Sequence, residues 1–227
     1  MNQQFLTELK AVTAENRIFT DEPMKKHTTF RVGGPADILV QPKGTELAAV
    51  IRLCRKYDVP YQVIGNGSNL LVGDRGIRGL VIEMLSKEDE ICVEDDCITV
   101  GAGMLLSKTA NRAAEHGLTG MEFAAGIPGR IGGAVVMNAG AYGGEMKDIL
   151  TAVTVLDQEG NEKILSAEEL ELGYRTSCIL KKGYIVTGAK IKLKHGEETA
   201  IRARMEELKK QRVEKQPLEY RLSLIHI

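Results

Sequence analysis

The sequence predicts an α+β fold, because strand-like and helix-like segments alternate irregularly and several strands are joined as hairpins. The strand-like segments have apolar residues at every second position, as on both sides of the Asp95–Asp96 turn within Glu90–Val100. The helix-like segments have apolar residues three and four positions apart, as in residues 105–115 before Gly117. A doubly wound parallel sheet is disfavoured, since hairpins interrupt the alternation of strand and helix.

The first part of the chain is predicted to hold two helices and four strands. A capping threonine, Thr45, is expected to begin the second helix. From the periodicities we predict helices over 4–14 and from 45 to about 58, and strands over 36–40, 61–64, 70–72 and 79–84.

The second part is predicted to begin with the 90–100 hairpin and the helix over 105–115. Residues 166–169 have the spacing of a capping box and should start a short helix. We also predict a hairpin around the 158–161 turn, a strand over 184–194, and a charged helix over 197–215 that ends at Pro217.

Composition and charge exclude several functional classes. The 227-residue chain is long enough for a buried core in two lobes. Its formal net charge of −1 gives no reason to expect nucleic acid as a partner. No apolar run approaches the ~20 residues that span a bilayer, and the N-terminus lacks a signal-peptide core. We therefore expect a cytoplasmic protein with no membrane partner; the oligomeric state is not predicted.

The cysteines and histidines indicate neither a metal site nor disulfides. The cysteines form no C-x-x-C pair and are expected to be reduced structural thiols: Cys54, Cys92, Cys97 and Cys178. The four histidines are scattered without metal-ligand spacing, so no metal is expected.

The segment Gly126–Gly143, GIPGRIGGAVVMNAGAYG, is the most informative part of the chain. Its six glycines and Pro128 argue against a helix, where each glycine costs about 1 kcal/mol, and against a plain strand. We expect its backbone to approach a large flat ligand, with N–H groups available to anions.

A second glycine-rich turn, G65-N-G-S-N69, lies upstream. The turn follows one predicted strand and precedes another, which excludes the Rossmann fingerprint because that motif needs a helix after its glycines. No Gly-Lys-Ser/Thr follows as in a P-loop. The turn is either structural or a nest whose N–H groups, with the Ser68 hydroxyl and the Asn69 amide, hold a pyrophosphate. Two unusual loops together favour a phosphate-bearing cofactor.

Tyr174 and Arg175 form a third candidate group. Arg175 is either a solvated residue after a turn or a fixed cation that polarises a substrate oxygen or stabilises a developing enolate. Tyr174 could add a hydroxyl donor. The basic residues of the last helix are expected to form a solvated face, although Arg212 and Lys215 could instead reach a nucleotide phosphate.

These motifs together resemble the UDP-N-acetylenolpyruvoylglucosamine reductases of peptidoglycan synthesis, in the shorter of the family's two subtypes. The resemblance follows residues 1–220 in order. It rests on the segments T28-T-F-R-V-G-G-P-A-D37, V63-I-G-N-G-S-N-L-L-V72, Gly126–Gly143, Y174-R-T-S177 and Q216-P-L-E-Y220.

The resemblance implies the FAD-binding fold of the vanillyl-alcohol-oxidase and xanthine-dehydrogenase type, with two subdomains. It implies an N-terminal helix within 1–19, an FAD-binding domain over 20–195 (subdomains about 20–85 and 86–195), and the start of a substrate-binding domain at 196–220. In that family, hydride moves from NADPH by way of FAD to the enolpyruvyl double bond of the UDP-sugar. A serine then supplies the proton that completes UDP-N-acetylmuramate.

The resemblance also implies residue roles. Arg175 is the catalytic arginine that stabilises the enol, and Tyr174 and Arg212 contact the substrate. The implied cofactor-binding residues are Ile64, Gly65, Asn66, Gly67, Ser68, Asn69, Gly126, Ile127, Pro128, Gly129, Gly132, Gly133, Asn138, Gly140 and Ala141.

The C-terminal segment departs from the family pattern. The proton-donating serine and the C-terminal glutamate have no counterpart, and the context of Ser223 does not match. We expect residues 221–227 to be a non-native tail on a C-terminally truncated member of the family. Such a chain should hold FAD but reduce the UDP-sugar poorly, because general-acid help is typically worth about 10²–10⁴ in rate.

Two alternative functions stay open. One is a different flavin oxidoreductase of the same fold, and the other is an FAD-binding module without catalysis. A flavin spectrum and NADPH oxidation with and without the UDP-sugar separate these alternatives.

Overall fold

The computed structural model describes residues 3–86 and 91–216, which divide into two compact units. Of the described residues, unit 1 holds 3–85 and 156–161, and unit 2 holds 86, 91–155 and 162–216. Each unit combines helices with a β-sheet, so the predicted α+β class is confirmed.

Unit 1 is built on a four-stranded mixed sheet with the order β1-β2-β4-β3. The β1–β2 pair is antiparallel, and β2–β4 and β3–β4 are parallel. Its helices and strands are α1 (Gln3–Val12), β1 (Ile18–Pro23), β2 (Pro35–Val40), α2 (Glu46–Lys56), β3 (Tyr61–Ile64) and β4 (Ile77–Glu83).

The core of unit 1 comes from the alternating strand positions and from the apolar faces of its helices. Leu39 and Val81 of the sheet, and Ile51 of α2, have no solvent exposure. The α1 helix buries Phe5 and Leu9, and the Phe5 ring meets the Tyr57 ring edge-on at 5.8 Å. The predicted N-terminal helix therefore forms and is fixed by aromatic packing.

Two predictions for unit 1 are wrong. Residues 70–72, three consecutive apolar residues, form no strand but part of a loop, with Val72 buried beside Gly33 and Leu71 70% exposed. Thr45 makes no side-chain cap hydrogen bond. The carboxylate of Glu46 accepts the Lys43 N–H at 2.9 Å and organises this turn in its place.

Unit 2 is built on a five-stranded sheet with the order β11-β10-β12-β6-β5. Two small two-stranded ribbons, β7–β13 and β8–β9, accompany it. The elements are β5 (Ile91–Glu94), β6 (Cys97–Gly101), α3 (Leu106–Glu115), β7 (Leu118–Thr119), α4 (Ile131–Val136), β8 (Gly140–Ala141), β9 (Gly144–Glu145), β10 (Leu150–Leu156), β11 (Glu162–Ser166), α5 (Cys178–Lys182), β12 (Ile185–Lys192), β13 (Lys194–His195) and α6 (Glu198–Lys215).

The core of unit 2 lies under this sheet. The alternating residues Ile98, Val153 and Ile191 have no solvent exposure, and α3 adds Leu106 and Ala110. Both predicted hairpins form around their expected turns, although Glu90 lies outside the described residues.

The secondary structure of unit 2 differs from the sequence-based predictions at three places. The glycine-rich segment contains the helix α4, so the prediction that this segment forms no helix is wrong for those residues. At 166–169 the capping-box bonds form, with the Ser166 N–H donating to Glu169 Oε2 at 2.8 Å, but the residues make a turn and not the predicted helix. The α5 helix was not predicted.

The last part of the sequence lies outside the described residues. This applies to Pro217 as a helix end, to residues 217–220 of the QPLEY segment, to Ser223 and to the tail 221–227. Of the helices in the described ranges, none has the length and apolarity needed to cross a membrane.

Candidate functional site

The loop predicted to hold a pyrophosphate follows β3 in unit 1. Ile64 anchors its start, being 7% exposed, and Gly67 is buried with a φ of +57°. Ser68 is half-buried and Asn69 is exposed. The apolar start of the loop is thus fixed in the core, whereas the side chains of Ser68 and Asn69 are accessible to solvent.

Gly67 lies against the backbone of residues 27–29. A Cβ on Gly67 would come within 2.0 Å of the His27 carbonyl oxygen. The Thr29 N–H donates to the Gly67 carbonyl at 3.3 Å. Since the φ is in the left-handed region and no room exists for a side chain, only glycine fits this turn.

His27 is clamped by two carboxylates next to this loop. Its Nε2 lies 3.1 Å from Glu22 Oε1, and its Nδ1 lies 3.2 Å from Glu83 Oε2. The hydrogen bond with Glu83 raises the pKa of His27; burial opposes this, and the bond with Glu22 adds to it. Burial alone would raise the pKa of Glu22, but bonds from His27 and Lys26 outweigh it and lower that pKa.

The sequence pattern alone does not identify this cluster of charged side chains as support for the loop. The Gln41 amide also donates to Glu83 Oε2 at 2.7 Å, which ties β2 to the same carboxylate. The available signal was a histidine placed directly before the T28-T-F-R-V-G-G segment. Its partners come from β1 and β4, and the β4 carboxylate lies 56 positions along the chain.

In unit 2, the start of the glycine-rich segment is pinned along residues 102–106. The Ile131 and Gly132 N–H groups donate to the Met104 and Ala102 carbonyls, each at 2.8 Å. The Leu106 N–H donates to the Gly129 carbonyl at 3.0 Å. The Arg130 guanidinium adds a bond to the carbonyl of Gly103. The backbone of 129–132, which runs into the first turn of α4, is therefore held against residues 102–106.

The two adjacent glycines of α4 have opposite surroundings. A Cβ on Gly132 would lie 3.0 Å from Ala102 Cβ, so this glycine permits close packing. Gly133 is exposed, and a Cβ there would meet no described atom within 4 Å. The Gly133 side of α4 is therefore a bare backbone surface, which fits the approach of a flat ring system.

The end of the segment forms the tight β8–β9 hairpin. Tyr142 and Gly143 have φ values of +54° and +87°, the two positive values of a type I′ turn. Gly140 and Ala141 form β8 at the start of this hairpin. Gly144 packs beside the Phe123 ring, where a Cβ would come within 2.7 Å.

Tyr174 and Arg175 occupy the two central positions of a four-residue turn. The turn is closed by hydrogen bonds between Gly173 and Thr176, at 3.1 and 3.3 Å. Arg175 has a φ of +55°, and Tyr174 is 88% exposed. Both predicted site residues therefore lie at the tip of a turn that holds the arginine in a costly left-handed conformation.

This turn and the glycine-rich segment are joined within unit 2. The Asn138 amide donates to the Gly173 carbonyl at 3.1 Å, and the Ser177 hydroxyl donates to the Val136 carbonyl at 2.6 Å. Ser177 is fully buried. These contacts do not test the predicted cofactor role of Asn138, which stays a prediction.

The cations of the basic helix α6 occupy two kinds of surroundings. Three of its cations pair with glutamates on the same surface, namely Arg202 with Glu198, Arg204 with Glu207 and Lys209 with Glu206. Arg212 lies apart from them, against the backbone of Gly126, with its Nη1 3.4 Å from where a Cβ would stand. The structure thus places Arg212 beside the glycine-rich segment.

The cysteines and acidic groups in the described part of the chain are not arranged as a metal site. All four cysteines are free; burial raises the pKa of Cys54 to about 12 and also raises that of Cys178. Among the described residues, no group of three or more His, Cys, Asp or Glu side chains is arranged to hold a metal ion.

The predicted residues fall into two sets. Residues 64–69 belong to unit 1, whereas Arg175 and the remaining predicted residues belong to unit 2. Within unit 2, the structure brings Asn138 to the Arg175 turn and Arg212 to Gly126.

Comparison with known proteins identifies an FAD-binding domain and close relatives of this chain. The family model for an FAD binding domain matches residues 36–166, so the chain carries an FAD-binding domain. The UDP-N-acetylenolpyruvoylglucosamine reductase of Agathobacter rectalis is 50% identical over 97% of this chain and 74% of its own length. The reductase of that name from Clostridium perfringens is 49% identical over 97% of this chain and 73% of its own length.

Solved structures of a reductase of the same name and of a more distant enzyme superpose on this chain. The Thermus caldophilus UDP-N-acetylenolpyruvylglucosamine reductase superposes with a TM-score of 0.73 at 42% identity, over 86% of this chain and 69% of that one. An alkyldihydroxyacetonephosphate synthase superposes with a TM-score of 0.62 at 18% identity, over 86% and 44% of the two chains. The second likeness concerns the fold alone and agrees with the predicted FAD-binding fold type.

Proposed function

This chain belongs to the UDP-N-acetylenolpyruvoylglucosamine reductase family, and from that premise we propose that it reduces UDP-N-acetylenolpyruvoylglucosamine to UDP-N-acetylmuramate. Bound FAD supplies the two-electron chemistry that a hydride transfer needs, and NADPH is the proposed source of the hydride. The reaction belongs to peptidoglycan precursor synthesis in the cytoplasm under this proposal.

The cofactor contacts are proposed for each unit separately. Residues 64–69 would hold the pyrophosphate through backbone N–H groups, the Ser68 hydroxyl and the Asn69 amide. The surface position of those two side chains supports this assignment. Residues 126–133 would face the flavin ring, and the bare backbone at Gly133 supports that part.

Arg175 is the proposed catalytic residue. When hydride reaches the enolpyruvyl double bond, negative charge develops on the carboxylate side of that group as an enolate. A guanidinium stays charged at any working pH and offers two parallel donors to such oxygens. The hydroxyl of Tyr174 beside it would donate a hydrogen bond to the substrate, and Arg212 would bind a substrate phosphate.

One observation carries the proposal. The turn that presents Tyr174 and Arg175 is hydrogen-bonded, through Asn138 and Ser177, to the glycine-rich segment proposed to face the flavin. A solvated surface arginine would need no such buried anchoring. The backbone that carries this cation is therefore anchored to the proposed cofactor wall, which supports the placement that electrostatic catalysis requires.

The experiment is an anaerobic flavin titration. The purified chain, loaded with FAD, is bleached with one equivalent of NADPH and then mixed with UDP-N-acetylenolpyruvoylglucosamine. We expect NADPH to reduce the flavin and the UDP-sugar to restore its oxidised absorbance. Restoration only on admission of oxygen would refute the proposed reaction and favour an FAD-binding module without this catalysis.

A matched variant tests the assignment of the cation. Arg175→Met should retain FAD and bleaching by NADPH but slow the restoration by the UDP-sugar about 10²–10³-fold, the usual effect of removing one such electrostatic group. Arg202→Met changes an exposed α6 cation in the same way and should leave the rate unchanged. Equal rates for wild type and Arg175→Met would refute the catalytic assignment.

Two predictions accompany the proposal. Residues 196–220 are proposed to begin a substrate-binding domain, which would place α6 at its start. Poor steady-state turnover of the UDP-sugar by this chain also stays a prediction, and NADPH consumption under multiple turnover checks it.

A further inference from the structure

A single buried side chain connects the Arg175 turn to the hairpin that ends the glycine-rich segment. Asn138 is 4% exposed. Its Nδ2 donates to Glu145 Oε2 at 2.6 Å and to the Gly173 carbonyl at 3.1 Å, while its Oδ1 accepts the Lys147 N–H at 2.9 Å. The side chain thus joins two separate segments, residues 145–147 and the Arg175 turn at Gly173.

The partners of this amide fix its orientation. A backbone N–H can only donate, so the atom facing Lys147 must be the oxygen. A backbone carbonyl and an ionised carboxylate can only accept, so the atom facing Gly173 and Glu145 must be the nitrogen. A flipped amide would break all three bonds, and the group therefore has one stable position.

The Arg175 turn needs an external anchor of this kind. A non-glycine residue in the left-handed region is strained and is retained only where its surroundings impose it. The two bonds between Gly173 and Thr176 close the turn but do not attach it to the unit. Asn138 attaches it before Tyr174, and Ser177 attaches it after Thr176.

We infer that Asn138 is a positioning residue for Arg175, with Glu145 holding the Asn138 amide in place. Glu145 is itself fixed, because its N–H donates to Asp148 Oδ2 at 2.9 Å and its carboxylate pairs with Lys147. The inference deepens the proposed function and rests on it for the catalytic role of Arg175. The anchoring of the turn can be measured without any turnover.

Native-state proteolysis is the first measurement. Trypsin cleaves after Arg175 when the turn opens, and mass spectrometry of the early fragments identifies that site. Asn138→Gly removes the side chain while keeping a residue that accepts the positive φ, and should raise the cleavage rate about 10–100-fold. Asn138→Asp also tolerates that φ but replaces the donor with an acceptor facing Glu145, and should do the same.

Matched variants separate anchoring from general weakening. Asn111→Gly deletes the same atoms from an exposed position of α3, where the amide bonds only within its own helix at Ser107, and should leave cleavage after Arg175 unchanged. Glu145→Gln keeps an acceptor for the Asn138 amide and should stay within about twofold of wild type.

A spectroscopic readout reports the turn directly. The sequence contains no tryptophan, so the indole introduced by Tyr174→Trp is a unique probe at the tip of the turn. In that background Asn138→Asp should lower the fluorescence anisotropy of the folded protein, whereas Asn111→Gly should not. A residue that contributed only to global stability would shift the melting temperature without lowering the anisotropy below the transition.

The inference is overturned if both Asn138 variants show wild-type cleavage after Arg175 and unchanged anisotropy, or if Asn111→Gly raises cleavage equally. Failure of the proposed function looks different: the flavin would not be reoxidised by the UDP-sugar in wild type, while the cleavage and anisotropy changes would still occur.

Discussion

Gly67 and His27 approach so closely that a Cβ on Gly67 would lie 2.0 Å from the His27 carbonyl oxygen. The loop proposed to hold a pyrophosphate is thus seated on a backbone segment whose histidine is clamped between Glu22 and Glu83. The first two predictions concern the glycine and the histidine of this contact.

Gly67→Ala should destabilise unit 1 beyond the cost of its backbone conformation. A left-handed non-glycine residue costs about 1–2 kcal/mol, and the contact with His27 should add about 1–3 kcal/mol of overpacking. Gly44 is the control, because its φ is +47° and a Cβ there meets no described atom within 4 Å. Urea unfolding measures both; equal losses for Gly44→Ala and Gly67→Ala would show that the contact carries no cost.

His27 should make stability depend on pH. Its folded pKa is raised above the ordinary 6.5, so its contribution is fully present below pH 6.5 and is lost as the pH rises through the folded pKa. The lowered pKa of Glu22 means that the contribution of this carboxylate is lost as the pH falls below 4.5. His27→Gln should therefore cost most between pH 4.5 and 6.5, by about 1–3 kcal/mol, and less at alkaline pH.

Thermal unfolding of wild type and His27→Gln across that pH range checks the direction in which the stability difference changes. Lys26, which also contacts Glu22, is unchanged in the variant. His195→Gln is the control, since its pair with Asp95 is solvent-exposed and such pairs are worth little. A gap between wild type and His27→Gln that widens with rising pH would contradict the assignment.

The sequence indicated these loops but not what supports them. Local periodicity identified most helices and strands, because alternation and helical spacing are local properties. It failed at residues 70–72, where Val72 is buried by packing on Gly33 rather than by strand pairing. It also failed to predict the bond from Asn138 to Gly173, because the two residues are 35 positions apart and only the tertiary fold brings them together.

Arg175→Gly should stabilise the protein while removing the cation proposed to be catalytic. Glycine relieves the left-handed strain, and the net gain should be about 0.5–1 kcal/mol after the entropy cost of glycine. Glu171→Gly is the matched control, because Glu171 is exposed and has a φ of +48°. Both variants should melt higher, but only Arg175→Gly should slow reoxidation of the flavin by the UDP-sugar. Slowing in both variants would mean that the stability change, not the cation, alters the rate.

Alanine substitutions at the two glycines of α4 should change the free energy of unfolding in opposite directions. Gly133→Ala should raise stability by about 1 kcal/mol, because alanine favours a helix and the new methyl group meets open space. Gly132→Ala should lower it by about 1–2 kcal/mol, since its Cβ would press on Ala102 at 3.0 Å. Denaturant midpoints of the cofactor-free protein measure both. The same sign for both substitutions would contradict the packing described for α4.

The most direct test of the proposed cofactor site is an FAD titration of wild type and Gly133→Leu, followed by quenching of flavin fluorescence. A Cβ at this position meets no described atom within 4 Å, so we expect the variant to fold with wild-type stability or better. We expect one FAD per wild-type chain and at least about tenfold weaker binding by Gly133→Leu, a loss of about 1.4 kcal/mol or more. Equal FAD affinity in the two folded proteins would show that the glycine-rich segment does not face the flavin.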